Sequence, residues 1–113
     1  FGADAEASRG QAAQQILALA PSSGAFVVAG DMNGGPGSAA IATFSTELVD
    51  LWALANPSDP GLTYPASGPT DRIDFLFASP ELAPGIGGAR LLDERSGSVT
   101  LSDHSGVAAA LAW

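Results

Sequence analysis

The chain has no cysteine, no lysine, a single histidine and a single methionine among its 113 residues. Without cysteine there is neither a disulfide framework nor a thiolate metal site, and the compartment stays undetermined. Without lysine, all positive charge rests on Arg9, Arg72, Arg90 and Arg95, against twelve acids and a formal net charge of -8. Such a chain repels polyanions, which disfavours broad electrostatic gripping of nucleic acid. A small phosphate ester, or a polyanion held through a bound cation, remains allowed. No apolar run approaches the length of a membrane span, and no basic leader precedes one. What is present is 46% hydrophobic and only 14% charged, the composition of a folded domain. The length suits one small domain. Phe1 in place of Met suggests a processed or excised piece.

Residues 4–20 read as a helix rich in Ala, Gln and Leu that Pro21 stops, with a start at Asp4 or at the capping-box sequence Ser8-Arg9-Gly10-Gln11. Ala25-Phe26-Val27-Val28-Ala29 is a short apolar run bounded by glycine, expected as a buried central strand. Asn33-Gly34-Gly35-Pro36-Gly37 is a loop, and Ser38 is placed to cap a short helix through Phe44. Residues 47–55 suit a second short helix or a mixed segment. The Pro- and Gly-rich stretch from Asn56 to Pro69 reads as a long loop around a short Leu62-Thr63-Tyr64 strand. Strands are expected at Ile73–Ala78, more weakly at Ala89–Leu92, and at Gly106–Ala112. Helices and strands in this mixed order indicate a layered α/β (α+β) structure. Its apolar strands want cover on both faces, more than one long helix and one short one supply.

Three short words carry acid, amide and imidazole groups at strand ends: Gly30-Asp31-Met32-Asn33, Arg72-Ile73-Asp74-Phe75 and Ser102-Asp103-His104. Taken alone, Asp31 with Asn33 is a turn in which side chains bond local N–H groups. The other reading has Asp31 orienting or deprotonating a water, with Asn33 fixing that carboxylate or a phosphate oxygen. Asp74 lies inside an apolar strand, where an unpartnered carboxylate is costly. Its partner is either Arg72, on the same strand face, or His104. Ser102-Asp103-His104 is either a hydrogen-bonded turn or an acid-tuned imidazole able to hold a proton at neutral pH. There is no Gly-x-Ser-x-Gly elbow and no His- or Cys-rich cluster for zinc. Converging on one sheet rim, these groups suit metal-assisted attack of water on a phosphate ester.

In this order the three words resemble the endonuclease/exonuclease/phosphatase superfamily, whose pattern runs GD-x-N, then R-[IL]-D-[YF], then SDH. The opening helix with Arg9 and Gln11, and Leu48-Val49-Asp50, are similar to it too. The resemblance implies a metal-dependent phosphoesterase built as a four-layer α/β/β/α sandwich with two facing mixed β-sheets. Asp31, Asn33, Asp74 and His104 would be catalytic. Asp103, Asp31 and Asn33 would be oxygen ligands of Mg²⁺ (or Mn²⁺), and Arg72 would meet substrate. A nuclease, or an inactive binding or scaffold domain of the same shape, are the alternatives.

The matched words are those of the second half of the family's domain. Residues 1–113 are therefore expected to be its C-terminal half, partnered by an N-terminal half that normally supplies an Asn, the principal metal-binding Glu and a second His. On that reading the sheet face bearing Phe26, Val28, Phe75, Phe77 and Val107, or the face bearing their strand neighbours, meets a second sheet.

Overall fold

A computed structural model describes residues 2–92, 95–96 and 98–112; Phe1, which suggested an excised piece, lies outside them. The helix α1 spans Ala3–Leu17 with Gly2 at its N-cap, so it begins before Ser8. Asp4 and Glu6 sit in its first turn, where negative charge meets the positive end of the helix dipole. It ends short of Pro21 in tightened turns, Leu19 N–H bonding Ile16 O and Ala20 N–H bonding Leu17 O, each at 3.0 Å.

Strand β1 covers Val27–Asp31, two residues later than the apolar run suggests. Its backbone pairs antiparallel with β3, Asp74–Ala78, from Val27↔Ala78 to Asp31↔Asp74. The short β2, Val49–Asp50, pairs with the other edge of β3. The sheet order is therefore β1-β3-β2, which corrects the expectation of a central first strand. The central, most buried strand is β3, and β1 is an edge whose Val27 is 50% exposed. Between these strands lie α2, Ala39–Phe44, and α3, Leu51–Ala55. A 3₁₀ turn at Ala83–Gly85 leads into β4, Ile86–Leu92. Strand β4 pairs antiparallel with β7, Gly106–Leu111, and a small hairpin joins β5, Arg95–Ser96, to β6, Val99–Thr100. Residues 62–64 form no strand; their ladder is a single bridge, Tyr64↔Asp71. All these pairings are antiparallel.

Alternation along β3 separates two cores. Phe75 and Phe77 point to one face and pack with Ala13 and Leu17 of α1, Ala40, Ile41 and Phe44 of α2, and Leu48. The helices come close because α1 carries Gly10 at the crossing, where a Cβ would lie 3.3 Å from Ala39 Cβ. Glu6 reaches from α1 to accept the Ala39 N–H at the start of α2, the role expected of Ser38. The opposite face, Leu76 and Ala78, meets Leu51, Leu82, Ile86, Ala109 and Leu111. Helices, first sheet and β4–β7 ribbon thus stack as three layers of an α/β sandwich. Of the two faces, the second sheet meets the one bearing the strand neighbours Leu76 and Ala78, while Phe75 and Phe77 are sealed by the chain's own helices. Val107 belongs to the second sheet and shares a cleft with Leu76. Among the described residues, no helix is long and apolar enough to cross a membrane.

Candidate active site

The last rung of the β1–β3 ladder sets Asp31 directly opposite Asp74. Like charges facing each other across a ladder are destabilising, so a folded chain with this rung needs something between the two carboxylates. That group is the imidazole of His104. Its Nδ1 lies 2.8 Å from Asp74 Oδ2, and its Nε2 lies 3.8 Å from Asp31 Oδ2 and 3.9 Å from Asp103 Oδ1. A carboxylate only accepts, so Nδ1 carries the proton that points at Asp74. Nε2 is left facing the two other acids, on a side chain 25% exposed. The hydrogen bond with Asp74 is the main cause that raises the His104 pKa. The charges of Asp74, Asp31 and Asp103 add to it, and burial opposes it. Of the two partners open to Asp74 on sequence grounds, the structure selects His104.

His104 sits in the turn before β7, where no regular ladder fixes it. The long loop does so instead. Ser105 N–H bonds Thr63 O at 2.8 Å and Ala66 N–H bonds Asp103 O at 2.7 Å, one on each side of the histidine. The loop also brings the Tyr64 ring to 4.9 Å from the imidazole, centroid to centroid. Its course around Trp52 depends on Gly61, whose φ is +66° and where a Cβ would fall 2.4 Å from Trp52 Nε1. Thr63 and Tyr64 were legible only as a short strand. An apolar-and-hydroxyl island between Gly61 and Pro65 was the available sign that this loop packs inward.

Asn33 adopts φ +49°, and its N–H bonds Asp31 Oδ1 at 2.7 Å, a turn that Asn tolerates well. This bond pins the Asp31 carboxylate. Asn33 and Asp103 line a cleft of about 430 Å³ with Gly34, Gly35, Tyr64, Asp71, Ile73 and His104. A second cleft of about 370 Å³ lies on the other side of His104, against Asp74, Leu76 and Val107. Among the described residues, no arginine lines either cleft.

Arg72 is the departure. Its Nη1 and Nη2 grip Asp50 Oδ2 and Oδ1 at 2.8 and 2.5 Å, and its Cζ stacks 4.2 Å over the Phe75 ring. At 7% exposure this guanidinium is engaged in the fold.

Among the described residues, Asp31, Asp74 and His104 form a group of metal-type donors, with one atom of each within 4.8 Å of the others. Asp74 and Nδ1 are bound to each other, however, and Asp74 Oδ2 accepts a further hydrogen bond at 2.6 Å from Thr63 Oγ1. The donors left are the carboxylates of Asp31 and Asp103, the latter 77% exposed, and the amide of Asn33. Hard oxygens of this kind fit Mg²⁺ or Mn²⁺.

The structure thus sets an Asp–His pair among carboxylates at the rim of a layered α/β sandwich. The family model described as "Endonuclease/Exonuclease/phosphatase family" matches residues 2–104, and the chain belongs to that family, whose members hydrolyse phosphate esters with divalent metals. Among solved structures it is similar to an endonuclease/exonuclease/phosphatase family protein from Leptotrichia buccalis C-1013-b. That likeness has a TM-score of 0.69 and 24% identity over 92% of this chain, and is one of fold. The chain spans 41% of that protein's length. Curated proteins give no match.

Proposed function

We propose that this chain is the C-terminal half of a metal-dependent phosphoesterase domain, completed by an N-terminal half that is separate or lies in a longer parent. The observation that carries the proposal is the 2.8 Å Asp74–His104 contact with Nε2 turned toward Asp31 and Asp103. Asp31, held by the Asn33 N–H, orients the attacking water and accepts its proton. His104, whose pKa the Asp74 hydrogen bond raises, turns Nε2–H toward a phosphoryl oxygen and offsets the charge that grows there. Asp74 fixes the ring's tautomer and direction.

Two carboxylates beside Nε2 would repel a phosphate by themselves, and among the described residues no arginine lines the clefts to relieve that. Asp31, Asp103 and Asn33 would therefore hold Mg²⁺ or Mn²⁺, which when bound supplies positive charge to the phosphoryl group and lowers the pKa of a bound water. The charge of -8 favours a small or lipid phosphate ester over nucleic acid.

The test is hydrolysis of bis(p-nitrophenyl) phosphate by the protein with both halves present. EDTA should abolish turnover and Mg²⁺ or Mn²⁺ restore it. His104→Ala and Asp31→Asn should each lower kcat roughly 10²- to 10⁴-fold. Unchanged turnover in His104→Ala, or no turnover by the complete wild-type protein, would overturn the proposal; the second result would leave a scaffold of the same shape.

A further inference from the structure

We infer that Thr63 is a positioning residue of this site: its hydroxyl fixes the Asp74 carboxylate, and through it the imidazole of His104. Thr63 is fully buried although it sits in a loop dominated by Pro, Gly, Ser and Asp. Its Oγ1 donates to Asp74 Oδ2 at 2.6 Å and accepts the Ile73 N–H at 3.3 Å. The accepted bond leaves the single hydroxyl proton aimed at Asp74. The same carboxylate oxygen receives His104 Nδ1 at 2.8 Å. Asp74 Oδ2 is thus held between two donors, one from the loop and one from the turn before β7.

The backbone of Thr63 repeats the connection. Its N–H bonds Asp71 O and its carbonyl accepts Ser105 N–H, both at 2.8 Å. One residue therefore ties together the approach to β3, the carboxylate on β3 and the residue after His104. A carboxylate with one donor removed keeps its charge but gains rotational freedom about its side-chain torsions. The imidazole it holds then samples directions away from the reacting centre, and a small loss of alignment is expensive in rate. Valine at this position keeps the shape and removes the hydroxyl; serine keeps the hydroxyl.

The experiment reads the pair directly, and only its kinetic arm rests on the phosphoesterase reading. In the ¹⁵N-histidine-labelled protein, the His104 Nδ1–H proton, assigned by its loss in His104→Ala, should resonate far downfield and exchange slowly. Thr63→Val should move it upfield and broaden it, while Thr63→Ser should retain it. In the kinetic arm, Thr63→Val should lower kcat roughly 10- to 100-fold with KM little changed, Thr63→Ser should restore most of the rate, and the Thr63→Val loss should vanish in an Asp74→Asn background. If Thr63→Val does not fold, the wild type decides: a slowly exchanging Thr63 hydroxyl proton close to the ring N–H supports the inference, and its absence overturns it. An unmoved ring proton in Thr63→Val, or equal losses in the Val and Ser variants, overturns it as well. A wild type without phosphoesterase activity would defeat the proposed function and leave the spectroscopic result to judge Thr63.

Discussion

At the scale of single residues, the Asp74–His104 pair makes a pH statement with a definite sign. Asp74 raises the pKa of His104 above its ordinary value, chiefly through the Nδ1 hydrogen bond. The folded protein therefore binds this proton more tightly than the unfolded chain does. Its contribution to stability is complete below the unfolded histidine pKa and disappears as pH rises through the folded value. Asp74→Asn should lower the His104 pKa in an NMR titration and flatten the dependence of the melting temperature on pH across that window. A titration curve that does not move would show that Asp74 does not hold the imidazolium. Asp31 faces Asp74 across the ladder and also contributes to the shift, so Asp31→Asn should lower the pKa by less.

At the scale of elements, the Arg72–Asp50 clasp joins β2 to the approach to β3 and places Asp74 at its rung. Asp50 also accepts the Ala53 N–H at 3.3 Å as the N-cap of α3. Asp50→Ala leaves a nearly buried guanidinium without its partner, which costs about 3–5 kcal/mol, and chemical denaturation should show a loss of that size. A loss under about 1 kcal/mol, the level of a surface pair, would mean that the clasp is not holding the elements together. This clasp shows where the sequence stops being readable. Asp31, Asp74 and His104 were legible because each is a polar group set in or beside an apolar strand. Asp50 and Arg72 lie 22 residues apart, and nothing in the spacing says which acid an arginine will choose. The edge position of β1 was hidden for a similar reason: Phe26-Val27-Val28 is apolar enough for a central strand, yet only its Val28 side packs under the helices. The cover for Phe75 and Phe77 comes from α1 and α2. Their close crossing at Gly10 lets them act as one layer.

At the scale of the whole molecule, the chain is looser than its mass requires. A compact monomer of 11.2 kDa exposes about 5,700 Å² and has a radius of gyration near ~13 Å. Here the values are 6458 Å² and 14.5 Å. The largest side chains are already covered, so the excess lies at margins: Val27, Leu54, Leu92, Val99 and Leu101 all face solvent. Such margins are what the proposed N-terminal half would cover. Residues 1–113 purified alone should self-associate or fold only with a partner chain, as read by ultracentrifugation and thermal melting. A soluble monomer with a cooperative melt would show that this segment is a domain in its own right.

Among the described residues β1 pairs only with β3, and its other edge bears on colloidal behaviour. Five residues of extended backbone, Val27–Asp31, form a rail onto which a strand of another copy can register. Mutual repulsion between copies carrying a charge of -8 works against that encounter at neutral pH. The isoelectric point lies near 4.1, so acidification removes the repulsion while the rail remains. Storage and crystallisation conditions approaching that pH therefore favour edge-to-edge stacking, and added salt, by shortening the reach of the same repulsion, moves its onset toward neutral pH.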